Sequence, residues 1–425
     1  MPRLPFQRHR LFFSGAAALA PLLALLALLL LVPGTATAET LVVIGDDVHL
    51  GTGDILSPGA VVILDGKIAA VGAPDALELP AGARTLRAAV VTPGLVDARS
   101  VAGLGGYLNQ SQDQDQLERS EAVQPELRAL DAYDARETLV DWLRSYGITT
   151  LHTGHGPGAV ISGQTLIAKT HGRTVDDAVI VPVATVAASL GDNALREGKE
   201  SPGTRGKTMA LLRQALHEAQ AYGEKLADEE RAAKLERSLR HEALLPVLAG
   251  EVPLLVHAQR HQDIASALRL AREFDGLRVI LDGAAESYLL LDEIREAGVP
   301  VIVHPTMARP IAETQHLSMA TAATLAEAGI PFAFQSGFES YVPKTRVALF
   351  EAGVAAGRGL DSEHALRALT LDAAKILGID DRVGSLEVGK DGDVALYDGD
   401  PLEYTSHCVA VIIDGKVVVE EGEGR

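Results

Sequence analysis

The sequence predicts an α/β protein: a (β/α)8 TIM-type barrel with a small composite β-sandwich domain built from both chain ends. Three observations predict it. Turn-punctuated β segments stand at opposite ends, residues 39–92 and 384–425, with the hairpin signals Asp65-Gly66 and Asp414-Gly415. Between them, over 93–383, near-continuous apolar runs alternate with amphipathic helical patterns, which implies a parallel sheet covered on both faces. Several of those runs also end on a titratable or hydrogen-bonding residue, as strands do when they build a site at the C-terminal end of a barrel.

The first 38 residues are set apart from this fold. Arg3, Arg8, His9 and Arg10 form a basic start, LFFSGAAALAPLLALLALLLLV is apolar, and Ala36-Thr37-Ala38 offers a small-x-small cleavage site before Glu39. This is the pattern of an export signal peptide. The apolar run is also long enough for an uncleaved anchor, and Pro21 and the cleavage site favour removal. The expected location is a bacterial periplasm, or the outer face of the inner membrane if the anchor stays. Losing Arg3, Arg8 and Arg10 takes the net charge from −19 to −22. So acidic a chain argues against nucleic acid or anionic lipid as a partner, because both need a basic face. The single cysteine, Cys408, excludes an intrachain disulfide. A homo-oligomer is left open.

The N-terminal segment supplies LVVIG and AVVILDGKIAAVG, and the tail supplies DVALYDGDP and VAVIIDGKVVVEEG. The middle supplies AVVTPGLV, ITTLH, AVIVPVATV, VPLLVHA, LRVILDG, VPVIV and IPFAFQS as strands. Helical patterns such as ETLVDWLRSYG, DIASALRLAREF and SYLLLDEIREAG stand between several of them. Residues 187–251 read as helical and charged, which leaves one barrel strand without an obvious sequence.

The polar residues at strand ends are Arg99, His152, His155, His257, Asp282, His304, Gln335 and Ser336, and the loop NQSQDQDQLE adds Asp113, Asp115 and Glu118 near the same mouth. Each has a structural alternative: a histidine satisfied by hydrogen bonds, a solvated acidic turn, or an arginine that only neutralises Asp97. Convergence on one rim favours a functional site. SGQTLIAKT, with Gln164 and Lys169, reads either as a contribution to the pocket or as a hairpin packed on the small domain. His9, His171, His217, His241 and His364 read as surface.

On AVVILDGKIAAVG, VVTPGLVDA, GITTLHTG, PLLVHAQRHQDIASALRLAREF and ALRALTLDAAKILGIDDRVGSLEVGKDGDVALYDGDPL, the chain resembles the amidohydrolase superfamily, in its imidazolonepropionase-like branch. The resemblance implies hydrolysis of C–N bonds, amide or cyclic amide, in a small-molecule or dipeptide-like substrate. It also implies a divalent metal that activates water, held by paired first-strand histidines, a fourth-strand Lys or Glu, a His on the fifth and sixth strands, and an Asp on the last. Here the first-strand pair falls on Arg99 and Val101, and the fourth-strand residue has no counterpart. His257 matches the fifth-strand histidine, the sixth-strand position is Asp282, and the last-strand Asp falls on Ser336, or on Gly337 one residue along.

Two chemistries stay open. In one, His152, His257, Asp282 and His304 form a rearranged site for one divalent metal, zinc first. In the other no metal is bound: Asp282 or a histidine such as His257 is the general base and Arg99 stabilises an oxyanion. In either, His155, Asp113, Asp115, Gln164 and Ser336 are the candidates for substrate binding. The alternative from another class is a catalytically inactive member of the fold that binds a ligand or partner in the old pocket.

Overall fold

The computed structural model describes residues 40–108, 110–196, 201–339 and 344–420. The export-signal reading falls on residues 1–38, outside that set. Among the described residues no helix is long and apolar enough to cross a membrane.

The chain opens with β1 (Leu41–His49), β2 (Ile55–Leu56), β3 (Gly59–Leu64), β4 (Lys67–Gly72) and β5 (Arg84–Pro93). It continues through β6 (Leu95–Ser100), β7 (Ile148–Thr153), β8 (Ile161–Gln164), β9 (Leu166–Lys169), β10 (Val179–Val181) and β11 (Val186–Ser189). Then come β12 (Leu254–Ala258), β13 (Val279–Gly283), β14 (Val301–Val303) and β15 (Phe332–Phe334), and the chain returns through β16 (Val394–Tyr397), β17 (Cys408–Ile413) and β18 (Lys416–Glu420).

Strands from both chain ends share one eight-stranded sheet, ordered β18-β17-β16-β5-β1-β3-β4 with β2 beside β1. Asp65-Gly66 and Asp414-Gly415 turn its hairpins, with positive φ at all four residues, as the sequence predicts. The apolar run AVVTPGLV, read as one strand, is two. Val90–Pro93 belong to β5 and pair with β16, whereas Leu95 onwards belongs to β6 and pairs with β7. The crossing falls at Gly94, where a Cβ would stand 2.2 Å from Thr149 Oγ1, so only glycine lets the chain pass.

The remaining strands form a four-stranded sheet, β10-β9-β7-β6, and a six-stranded sheet, β15-β14-β13-β12-β11-β8. A parallel bridge between Ser100 and Gly337 joins the end of β6 to the segment after β15. The run AVIVPVATV divides at Pro182, which cannot donate to a ladder. Its first half holds β10, while β11 takes only its last residue, Val186, and runs on through Ala187–Ser189 inside the stretch that reads as helical; the chain after it is helical through Arg205–Leu226 and three short helices.

The alternation of parallel strands is broken once. β9 runs antiparallel to β7, and β8 antiparallel to β11. The cause is connection length. Only the Gly-rich loop 154–160 separates β7 from β8, and a parallel crossover needs roughly a dozen residues or more. The chain therefore doubles back, and the residues that begin β8 lie at the end of the sheet where the other strands finish.

That reversal carries Lys169 to the opposite end. Its ammonium, 3% exposed, lies 2.5 Å from Asp393 and 2.9 Å from Asp391, just before β16 of the eight-stranded sheet. Lys169 is therefore a buried tie between the two parts of the fold and no part of the pocket. Removing one partner of a buried pair leaves the other charge stranded, so Lys169→Met is expected to lower stability by about 3–5 kcal/mol, with Asp393→Asn recovering part of the loss in the double variant. Urea denaturation measures this; a Lys169→Met protein as stable as the parent would contradict it.

Candidate functional site

Side chains two residues apart on a strand face the same way. Leu255, Ile280, Ile302 and Ala333 share one apolar cluster with Val96, Ala98, Ile167 and residues of the helix Leu371–Leu377. Two residues further along their own strands stand His257, Asp282, His304 and Gln335, and all four line a pocket of about 660 Å³. The inner face is thus apolar at its base and polar one step higher. Asn193, in the short 3-10 turn Asp192–Ala194, and Arg309, Glu339 and Arg346, in loops, line the same pocket.

At its centre Asp282 Oδ2 lies 3.0 Å from His257 Nδ1, while Asp282 Oδ1 accepts from Gln335 Nε2 at 2.6 Å. Burial alone would raise the Asp282 carboxyl. The His257 imidazole, the Arg99 guanidinium and the Gln335 amide outweigh it and hold the group well below the usual carboxylate range. Asp282 is therefore an orienting carboxylate: it accepts a hydrogen bond from His257 Nδ1 and leaves Nε2 free to act. Asn193 Nδ2 stands 3.2 Å from that nitrogen and also 3.2 Å from Glu313 Oε2. Glu313 is itself held by the backbone N–H of Asp192 and lies 3.6 Å from Arg205.

Arg99 is 4% exposed. Its Nη1 donates to the carbonyls of Ser100 and Gly154, and its Nη2 to that of His155. Burial lowers the guanidinium pKa, against the pull of Asp282 and Asp97. Those two carboxylates are the countercharges of a cation out of reach of bulk water. Asp97 accepts from the hydroxyl of Ser336 at 2.5 Å and from its backbone N–H at 2.9 Å.

Gly337, one of the two positions onto which the family's last-strand Asp falls, is filled from outside. A Cβ there would stand 2.3 Å from the His304 ring. His304 Nε2 is 3.7 Å from Glu339 and its Nδ1 4.0 Å from Glu351, and both carboxylates also pair with Arg346.

The other candidates lie elsewhere. His152 is fully buried, with Nδ1 bonded to Ala98 O and Nε2 to Thr165 Oγ1, both at 2.7 Å. Burial, with Arg99 nearby, pushes its pKa down to about 3. Gln164 donates to Pro125 O and does not line the pocket. Asp113 and Asp115 are exposed on their loop, also off the pocket lining. Ser336 is buried beneath the pocket with its hydroxyl on Asp97. His155 is buried beside Arg99, facing a smaller space behind the main pocket. Asn193, Glu313 and Ser162 were not singled out from the sequence. Asn193 and Glu313 sit in short 3-10 turns, Asp192–Ala194 and Ala312–Thr314, with no strand-end pattern, and Ser162 reaches this end only because its strand is reversed.

The model of the Amidohydrolase family matches residues 110–419. The amidohydrolase tasK of Hapsidospora irregularis is 26% identical over 90% of this chain, which spans 41% of that protein's length. The imidazolonepropionase of Shewanella pealeana is 26% identical, covering 85% of this chain and 94% of its own. Among solved structures, an amidohydrolase from Thermotoga maritima superposes with a TM-score of 0.83 at 28% identity, over 89% of this chain and all of that one. The chain belongs to the amidohydrolase family, in the imidazolonepropionase-like branch of that superfamily of hydrolases. Its fold is accordingly a TIM-type barrel with a second domain.

The metal that this family implies does not fit the residues present. Arg99 and Val101 are not ligands, and both nitrogens of His152 are engaged by protein. No group of three or more His, Cys, Asp or Glu among the described residues is arranged to hold an ion. The rearranged set of His152, His257, Asp282 and His304 is therefore not assembled.

Burial pushes the Asp97 carboxyl up to about 6, against the Ser336 hydrogen bonds. The folded chain thus binds this proton more tightly than the unfolded chain does. The resulting stabilisation is complete below about pH 4 and lost as pH rises through about 6. Relative to Asp97→Asn, the unfolding free energy of the parent is expected to fall by roughly 2–3 kcal/mol across that window. A flat difference in urea titrations at each pH would contradict the assignment.

Proposed function

We propose that this chain is an exported hydrolase of C–N bonds, amide or cyclic amide, in a small-molecule or dipeptide-like substrate. Its general base is the His257–Asp282 pair and its fixed cation is Arg99. The observation that carries the proposal is the pair itself: an ionised Asp282 fixes Nδ1, and Nε2 is turned towards the pocket beside a buried positive charge. An inert binding scaffold has no use for such an arrangement, whose desolvation costs stability.

In this reading Nε2 takes a proton from water as the water oxygen attacks the substrate carbonyl, with Asn193 yielding its place on that nitrogen. The Asp282 carboxylate stabilises the imidazolium so formed. The developing oxyanion is stabilised by the Arg99 charge, which acts strongly because the guanidinium is buried and costs no reorganisation because backbone carbonyls already hold it. The imidazolium then returns its proton to the leaving nitrogen.

Export to a periplasm, or retention at the outer face of the inner membrane, is proposed from the basic start, apolar run and cleavage site of residues 1–38.

The test is a panel of N-acyl amino acids, dipeptides and five-membered cyclic amides, followed by mass spectrometry of the acid and amine products. His257→Ala and Asp282→Asn are each expected to lower kcat by about 100- to 10,000-fold on any compound the parent turns over. Turnover of none of them, or unchanged rates in both variants, would overturn the proposal.

A further inference from the structure

Behind the pocket lies a small annex, enclosed by Arg99, His155, Ser162, Ser189, His257, Asp282 and a few apolar or glycine neighbours. Its free volume is about 10 Å³, close to the room needed by the centre of a single water. Four polar atoms of its lining residues are buried with no hydrogen-bond partner among the described residues: Arg99 Nε, both ring nitrogens of His155, and Ser162 Oγ. Their side chains belong to residues 4%, 6% and 6% exposed. An unpaired buried polar group is costly, so four around one space indicate a space that takes a polar occupant.

The backbone shapes the annex independently. Between β8 and β11 the register slips: Ala187 faces Gly163 and Ala188 faces Ile161, so Ser162 is the extra residue of a β-bulge. A bulge re-aims the side chain it carries, and bulges collect beside active sites. Next to it Gly163 has φ +132, and a Cβ there would stand 2.8 Å from His155 Cδ2 and 2.7 Å from Leu127 O. Only glycine lets the imidazole lie against the strand.

The lining also selects the occupant. Burial beside Arg99 pushes the His155 pKa down to about 4, so the ring is neutral near pH 7 and offers one donor and one acceptor. Ser162 offers both, Arg99 Nε–H only donates, and Asp282 only accepts. An anion would face the Asp282 carboxylate and a cation the Arg99 guanidinium. Water suits all four.

We propose that this annex binds the water consumed in the reaction, held by Arg99 Nε, Ser162 and His155 against the His257–Asp282 pair. This rests on the hydrolytic reading above. The guanidinium beside the water favours its deprotonation. The water oxygen forms a bond to the carbonyl carbon, its proton passes to His257 Nε2, and the carbonyl π pair moves onto oxygen. Collapse of that intermediate breaks the C–N bond, the nitrogen leaves with the bonding pair and takes the proton from Nε2, and the products are a carboxylic acid and an amine.

Two measurements test it. The first is a crystal structure of the unmodified protein at a resolution that shows ordered water, about 1.8 Å or better, with a parallel bromide soak. One water in the annex within hydrogen-bond reach of Arg99 Nε and Ser162 Oγ is expected; an empty annex, or an anomalous bromide peak there, overturns the assignment. The second is Ser162→Thr, whose added methyl takes roughly the room of that water, compared with Ser162→Ala, which leaves the room free. Ser162→Thr is expected to lose the water and drop kcat about 100-fold with KM within about twofold, while Ser162→Ala drops kcat less than about tenfold. A Ser162→Thr enzyme at the parental rate overturns the proposal while leaving the His257–Asp282 reading intact. A parent that turns over none of the amide panel overturns the hydrolytic reading itself, and with it the role of the water.

Discussion

A positive charge that cannot reach bulk water sets the terms for everything around it. Arg99 ends a strand whose neighbours place it at 4% exposure, where an unpaired ion would cost many kcal/mol. The fold meets that cost in two ways. Backbone carbonyls of Ser100, Gly154 and His155 take the terminal N–H groups, and the carboxylates of Asp97 and Asp282 supply the countercharge. Asp282 is in turn kept ionised and fixed by His257 and Gln335, and Asp97 is held in place by Ser336. The pocket is the open side of one charge-balanced cluster, with its cation covalently part of the chain.

The same cluster explains why the ligand set of the family is not found. A guanidinium fills the inner end of β6, the His304 ring covers Gly337, and His152 spends both nitrogens on Ala98 and Thr165. These replacements are mutually consistent. Positive charge from arginine balances Asp282 without a divalent ion, and His152 and His304 are engaged by the protein rather than left open as ligands.

Much of this was legible in the sequence. Parallel strands deliver their C-terminal residues to one rim, so His257, Asp282, His304 and Gln335 could be read from VPLLVHA, VILDG, VIVHP and FAFQS by strand ends alone. The glycines of both Asp-Gly turns were equally readable. The failures share a cause in chain direction and connection length. SGQTLIAKT reads either as part of the pocket or as a hairpin packed on the small domain, and the short loop before it, which reverses its sense, decides between them. That reversal sends Lys169 away from the pocket and brings Ser162 towards it. Asn193 meets His257, and Glu313 meets Asn193, from short 3-10 turns far apart in sequence, and no local pattern announces such a meeting. The acids of QDQDQ looked suited to the mouth, and stand exposed on their loop instead.

A site whose cation is Arg99 predicts a definite metal content for the mature protein, purified without chelators and without a polyhistidine tag. Elemental mass spectrometry is expected to find zinc, manganese and iron each well below one equivalent, with the same values in His257→Ala. Near-stoichiometric metal in the parent, lost in that variant, would contradict it and restore a metal to the centre of the pocket.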